Sequence, residues 1–142
     1  MNPPAKPEPL DAAGIQKFLD RSPFMAWLGG TVTRADPAGE TIEIHYPMRP
    51  EFERGPQSNQ WHGGVMAAVI DCAGDFALVM AIGKPLPTIN YRIDYLRPAI
   101  ATGIRAVATV RRQGRTVGVV DVDLFNDDGI LLAIGRACYA TA

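Results

Sequence analysis

The sequence has 142 residues, 47% of them apolar and 20% charged, a balance that fits a globular domain and excludes a largely disordered chain. Fourteen basic and fifteen acidic residues leave a net charge of −1, which argues against a dedicated nucleic-acid binder, because counterion release needs a basic face. Two cysteines, Cys72 and Cys138, form neither a disulfide framework nor a metal-ligand spacing. The longest uninterrupted apolar run, Phe76 to Ile82, falls well short of the roughly 18 residues of a membrane span, and the N-terminal stretch lacks the apolar core of a signal peptide. The expectation is a soluble, cytoplasmic protein.

Met1 to Pro9 contain prolines at 3, 4, 7 and 9, so residues 1–10 are expected to form an extended, flexible tail ahead of a single domain over 11–142. Asp11 can cap a short helix that carries Ile15, Phe18 and Leu19 on one face. Ser22-Pro23 closes it, since a residue before proline leaves the helical region, and Ser22 to Gly30 is an apolar connector. Thr31 to Arg34 and Glu40 to Tyr46 read as strands around the turn Asp36–Gly39, the second alternating Ile42 and Ile44 with Glu43 and His45. Pro47 to Trp61 has no period and reads as a long loop, a common place for function. Gly63 to Ile82 is apolar all round and too long for a strand, which predicts a buried helix ended by Gly83-Lys84-Pro85. Thr88–Leu96, Thr102–Arg112, Thr116–Phe125 and Ile130–Tyr139 read as strands, the later ones joined by hairpin turns at Gln113–Arg115 and Asn126–Gly129. This order predicts an α+β fold, an antiparallel sheet wrapped around one long central helix.

The buried helix carries Asp71 and Asp75, four apart and so on one face. A carboxylate in an apolar interior costs several kcal/mol unless paired, hydrogen-bonded or protonated. The stripe therefore either faces a cleft, as nucleophile or general base, or meets solvent or a cationic partner at a subunit interface. At the helix start stands Trp61-His62-Gly63-Gly64. A helix N-terminus presents unpaired N–H groups and partial positive charge, and glycine admits a ligand close to the backbone, as an oxyanion hole requires. The bland reading is that His62 caps the helix and the glycines turn the chain. From His62 to Asp71 is nine residues, roughly 13 Å along a helix axis. One subunit cannot readily place both on one reacting group, whereas antiparallel helices from two subunits can.

His62-Gly-Gly-Val-Met-Ala-Ala-Val-Ile-Asp71, with Tyr95-Leu-Arg-Pro-Ala99 and the Gly114-Arg115 turn, resembles the PaaI-like hotdog-fold acyl-CoA thioesterases over most of the chain, from Ser22-Pro-Phe24 to about Tyr139. The resemblance implies an antiparallel sheet around a long helix, a dimer or dimer of dimers with active sites at the subunit interface, acyl-CoA as substrate and no cofactor. It makes Asp71 the catalytic carboxylate, as nucleophile or base for water. Gly63 or Gly64 becomes the oxyanion donor, His62 a residue shaping that end of the site, and Thr88 the hydroxyl that helps hold the water, unless it simply opens a strand. Pro56 stands where many relatives have an asparagine; Asn59, with Gln57 and Ser58 nearby, is the candidate replacement, and Trp61 a candidate substrate contact. Phe52, Trp61, Met66 and Met80 are expected to line the pocket, with Asp75 beside the site or at an interface.

Other residues weigh less. His45 is expected on the solvent side of its strand, Cys72 as an inert buried thiol and Cys138 as structural. Arg111, Arg112 and Arg115 either meet coenzyme A phosphates or lie on a solvated turn. No Gly-x-Ser-x-Gly, phosphate loop, dinucleotide fingerprint or His/Cys metal cluster is present. The alternatives to a thioesterase are a non-catalytic acyl-thioester binding module and, less supported for want of a paired Asp/His constellation, a hotdog enoyl-CoA hydratase.

Overall fold

In the computed structural model, which describes residues 1–142, the apolar segment Gly63–Ile82 is one helix over its whole expected span. We call it α3. It ends where Gly83 turns left-handed (φ 82°) and returns its N–H to the Val79 carbonyl, a conformation glycine adopts without a Cβ penalty. All of Cys72–Met80 is buried. By length and composition the helix could cross a membrane, but most of it is buried inside the molecule. It is the core helix.

Ahead of it come α1 (Ala12–Arg21), α2 (Pro23–Leu28), β1 (Thr31–Asp36) and β2 (Thr41–Tyr46); after it come β3 (Thr88–Tyr95), β4 (Ile104–Gln113), β5 (Val117–Asn126) and β6 (Leu131–Ala140). Asp11 caps α1 by accepting the Gly14 N–H at 2.7 Å, and the helix buries Ile15 and Leu19. The expected connector after α1 is itself a short helix. Ser22 ends α1 and also caps α2, its hydroxyl facing the Met25 N–H at 3.4 Å, with Pro23 in the first turn. Pro47–Trp61 contains a single 3-10 turn, Pro50–Phe52.

The strands form one sheet in the order β1-β2-β4-β5-β6-β3, every neighbouring pair antiparallel. Its inner face, which includes Ile42, Ile44, Ala106, Ala108, Val120, Val122, Ala133 and Ala137, is buried against α3. Small residues mark the closest approaches: a Cβ on Gly135 would lie 2.7 Å from Ile70, and one on Gly118 2.6 Å from Leu78. The tightest contact is at Gly74, in mid-helix, where an added Cβ would lie 2.3 Å from the Tyr139 hydroxyl oxygen. That buried hydroxyl donates to the Asp71 carbonyl at 2.7 Å and ties β6 to the helix. Gly74→Ala should therefore cost about 2 kcal/mol, overpacking and a lost hydrogen bond outweighing alanine's better helix propensity. Thermal unfolding should show a midpoint roughly 5–8 °C lower.

β3 is an edge strand, paired only with β6. Ile89, Tyr91, Tyr95 and the following Leu96 are all exposed. Opposite β6 its register steps from Thr88↔Tyr139 to Asn90↔Cys138, two residues against one. This is a β-bulge, and bulges re-aim side chains. Here it turns Thr88 to the helix side, with inward Tyr139 as its partner, while Asn90 pairs with outward Cys138.

Candidate functional site

Two groups of candidate residues lie on α3, one near its middle and one at its start. In the first, the half-exposed Asp71 carboxylate accepts the Thr88 hydroxyl at 2.8 Å. The bond runs from the re-aimed end of β3 to the helix, so the bulge and the Tyr139 tie place both partners. Only Oδ1 of Asp71 is engaged; its other oxygen is available.

Asp75, one turn further on, is 7% exposed and accepts the Leu86 N–H at 3.1 Å. Burial pushes its carboxyl up to about 7, the Leu86 bond opposing and the Asp71 charge adding to the rise. The two aspartates thus differ: Asp71 reaches a hydroxyl at the surface, while Asp75 faces inward onto backbone. Cys72 between them is buried, and burial first, then the two carboxylates, push its thiol up to about 12. It is no nucleophile at neutral pH.

At the start of α3, His62 caps the helix: its Nδ1 accepts the Gly64 N–H at 2.9 Å, and its ring is exposed. That engages Gly64 and leaves Gly63 as the glycine with an unpartnered N–H. The Tyr95 hydroxyl donates to the Gly63 carbonyl at 2.6 Å. A cleft of about 380 Å³ opens here, with Gly63, Met66 and Tyr95 in its wall and Arg54 and Arg97 around it. Trp61 borders the cleft but is 2% exposed, its indole N–H spent on the Thr102 carbonyl at 2.8 Å. Arg97 also donates to the Leu131 carbonyl. Tyr95, Arg54 and Arg97 are candidates that residue spacing alone did not single out, although Tyr95 and Arg97 lie inside the quoted Tyr-Leu-Arg-Pro segment.

Other expectations fare differently. Phe52 and Met80 are core residues, not pocket lining: Phe52 packs tilted against Trp61, 5.0 Å between ring centroids, and Met80 lies at the end of the buried stretch of α3. Asn59 is exposed in a left-handed conformation (φ 53°), its N–H directed at Glu53 and its carbonyl accepting from Ala101. Gln57, at φ 59°, Ser58 and Pro56 are exposed on the same loop. His45 lies on the outer sheet face, 2.9 Å from Asp127. Arg111 pairs with Asp121 at 3.5 Å on that face, and Arg112 and Arg115 border a cleft of about 410 Å³ beside the β4–β5 turn. The largest cleft, about 630 Å³, also lies on the outer face, among ion-paired side chains such as Arg92–Asp94 and Arg136–Asp121. It is remote from both groups on α3.

An antiparallel sheet wrapped around one helix, with a carboxylate in mid-helix and a glycine N-terminus, defines a hotdog domain of the thioesterase type. Residues 59–133 match the thioesterase superfamily family model. A Halobacterium salinarum protein provisionally named an esterase is 33% identical, over 90% of each chain. The medium/long-chain acyl-CoA thioesterase YigI of Escherichia coli is 26% identical, covering 87% of this chain and 88% of its own. A solved structure from the thioesterase superfamily superposes with a TM-score of 0.85 at 34% identity, over 91% of this chain and 96% of its own. Escherichia coli PaaI, from the phenylacetic acid degradation operon, shares the fold at 21% identity and a TM-score of 0.78, over 92% and 95%. The chain belongs to the thioesterase superfamily and has its hotdog fold.

Proposed function

We propose that the protein hydrolyses acyl-CoA thioesters to acid and thiol at sites shared by two subunits of a homodimer. The observation that carries this reading is a division along α3. A carboxylate with one oxygen bound to Thr88 and one available lies eight residues from a free Gly63 N–H, roughly 12 Å along the axis. Neither can act on the other's atoms within one chain. An antiparallel pair of α3 helices brings Asp71 of one subunit opposite Gly63 of the other. The half-buried helix face suits that approach, since small residues (Gly64, Ala67 and Ala68) lead along it to Asp71. The exposed apolar edge strand β3 suits it as well, because such an edge is a template for pairing with a second chain.

In this site the free Asp71 oxygen takes a proton from water held against the Thr88 hydroxyl, and the water oxygen attacks the thioester carbonyl. The charge that develops on the carbonyl oxygen meets the Gly63 N–H and the positive end of α3. Collapse expels the thiolate, which receives the proton from Asp71. Direct attack by Asp71, giving a mixed anhydride that water then opens, uses the same atoms. Arg54 and Arg97 at the Gly63 cleft suit the phosphates of coenzyme A, and the name of YigI supports the same substrate class. Trp61 and Met66 provide an apolar wall, and His62 holds the cap that keeps Gly64 out of the reaction.

The test is thiol release from a panel of aryl- and alkyl-CoA thioesters, each compared with the matching N-acetylcysteamine thioester, which lacks the phosphates. Turnover of CoA thioesters is expected, with kcat/KM at least about 100-fold above that of the truncated substrates, because remote binding energy supports catalysis. A second reading, an acyl-thioester binding module, draws on Pro56, at the position where the family resemblance implies an asparagine. Acyl-CoA binding without thiol release from any substrate would select it.

A further inference from the structure

We propose that Asp75 is a positioning residue for the Asp71–Thr88 pair, acting through the Leu86 N–H. The inference rests on the hydrolytic reading above. Between the end of α3 and Thr88 the chain runs Gly83-Lys84-Pro85-Leu86-Pro87. Two prolines carry no N–H, so within Pro85–Pro87 the only backbone donor is that of Leu86. It donates to Asp75 Oδ1 at 3.1 Å. The Leu86 side chain is buried beside it, whereas Pro85, Pro87 and Thr88 are exposed.

The sheet alone does not hold Thr88 in place. The ladder is broken by the bulge between Thr88 and Asn90, and on the other side of Thr88 it contributes the bond from Ala140 N–H to the Pro87 carbonyl. That bond ties the leading end of the bulge to β6 alone. The Asp75 carboxylate pins the leading end to the same helix that carries Asp71, one turn away. An acidic side chain among apolar neighbours is costly in free energy. Spacing alone gives no reason for it, and the Leu86 contact gives one. The bond does not require a charge, since either a carboxylate or a protonated carboxyl group can accept the N–H through an oxygen.

Three measurements test the assignment. In the wild-type chain, hydrogen exchange should find the Leu86 amide protected while that of Lys84, which makes no hydrogen bond, exchanges freely; equal exchange at both would overturn the proposal without any variant. Asp75→Leu, which removes the acceptor, should lower kcat by about 10- to 100-fold with KM unchanged, as a small misplacement of a reacting group does. Asp75→Asn, which keeps an oxygen acceptor, should restore most of that loss. If Asp75→Asn is as impaired as Asp75→Leu, the carboxylate itself takes part in the reaction and the positioning role is wrong. Finally, Thr88→Ala placed in the Asp75→Leu chain should add little further loss, because loss of the Leu86 anchor already displaces the Thr88 hydroxyl that the second change deletes; fully additive losses would contradict action through Thr88. Failure of the hydrolytic reading shows separately, as no thiol release from the wild-type protein, and leaves the amide-exchange result standing.

Discussion

Asp71→Asn is expected to lower kcat on acyl-CoA by about 10³-fold or more, with the fold retained and acyl-CoA still bound. The substitution is nearly isosteric, and asparagine can still accept the Thr88 hydroxyl, which meets Asp71 at 2.8 Å. Packing should change little: the side chain is half-exposed, and the Tyr139 tie is to the Asp71 backbone carbonyl rather than to the carboxylate. What disappears is the basic oxygen that takes the proton from water, a contribution of roughly 10²–10⁴ for a positioned general base. Steady-state kinetics with a thiol reagent, together with a thermal melt, checks both halves. A variant that keeps a tenth or more of wild-type kcat would remove Asp71 from the reaction.

Gly63→Pro should lower kcat by about 10²–10³-fold while changing stability by less than about 1 kcal/mol. Gly63 is the first residue of α3, the helix position at which proline is well accepted because the N–H lacks an intrahelical partner. The preceding residue, His62, already has the extended conformation that a following proline demands (φ −67°, ψ 133°). Proline therefore deletes the free N–H and leaves the helix start in place. Gly63→Ala is the control, because it keeps the N–H and its added Cβ would sit at ordinary contact distance, 3.4 Å, from the Tyr95 ring and hydroxyl. The alanine variant should retain far more activity than the proline variant. Equal losses in the two would mean that space at Gly63, not its N–H, is what the reaction needs.

These residues were not equally legible. The central helix could be read to its ends because an apolar stretch of that length has one structural solution and Gly83 marks its end. The strands were legible because they are long enough to show turns between them, but their order in the sheet, with β3 at the edge beside β6, was not, since no local pattern reports which strands pair across a long connection. α2 was not legible as a helix because Ser22-Pro23 is ambiguous. The same pair that stops a helix also starts one, serine as cap and proline in the first turn. The bulge at Thr88 has no signature in Thr-Ile-Asn, so the sequence could nominate the Thr88 hydroxyl but not show why it faces α3. The cost of burying charge flagged Asp71 and Asp75 together; the family resemblance set Asp71 apart, and the fold supplies the physical difference, one reaching a hydroxyl and the other a backbone N–H. Gly74 carried an unused signal: a glycine inside a long helix costs about 1 kcal/mol against alanine and suggests that something approaches closely, here the Tyr139 hydroxyl. Tyr95, Arg54 and Arg97 come together only when the β3 end folds back onto the start of α3, which periodicity does not report.

The shared site can be tested by mixing the two inactive variants. Asp71→Asn and Gly63→Pro chains are unfolded together, refolded and assayed for thiol release. If each site takes Asp71 from one subunit and Gly63 from the other, every mixed dimer regains one intact site. Random pairing makes half of the dimers mixed, so the mixture should recover up to about a quarter of wild-type activity, far above either variant refolded alone. A mixture no more active than its components would place both groups of each site within one chain and contradict a catalytic centre built across two subunits.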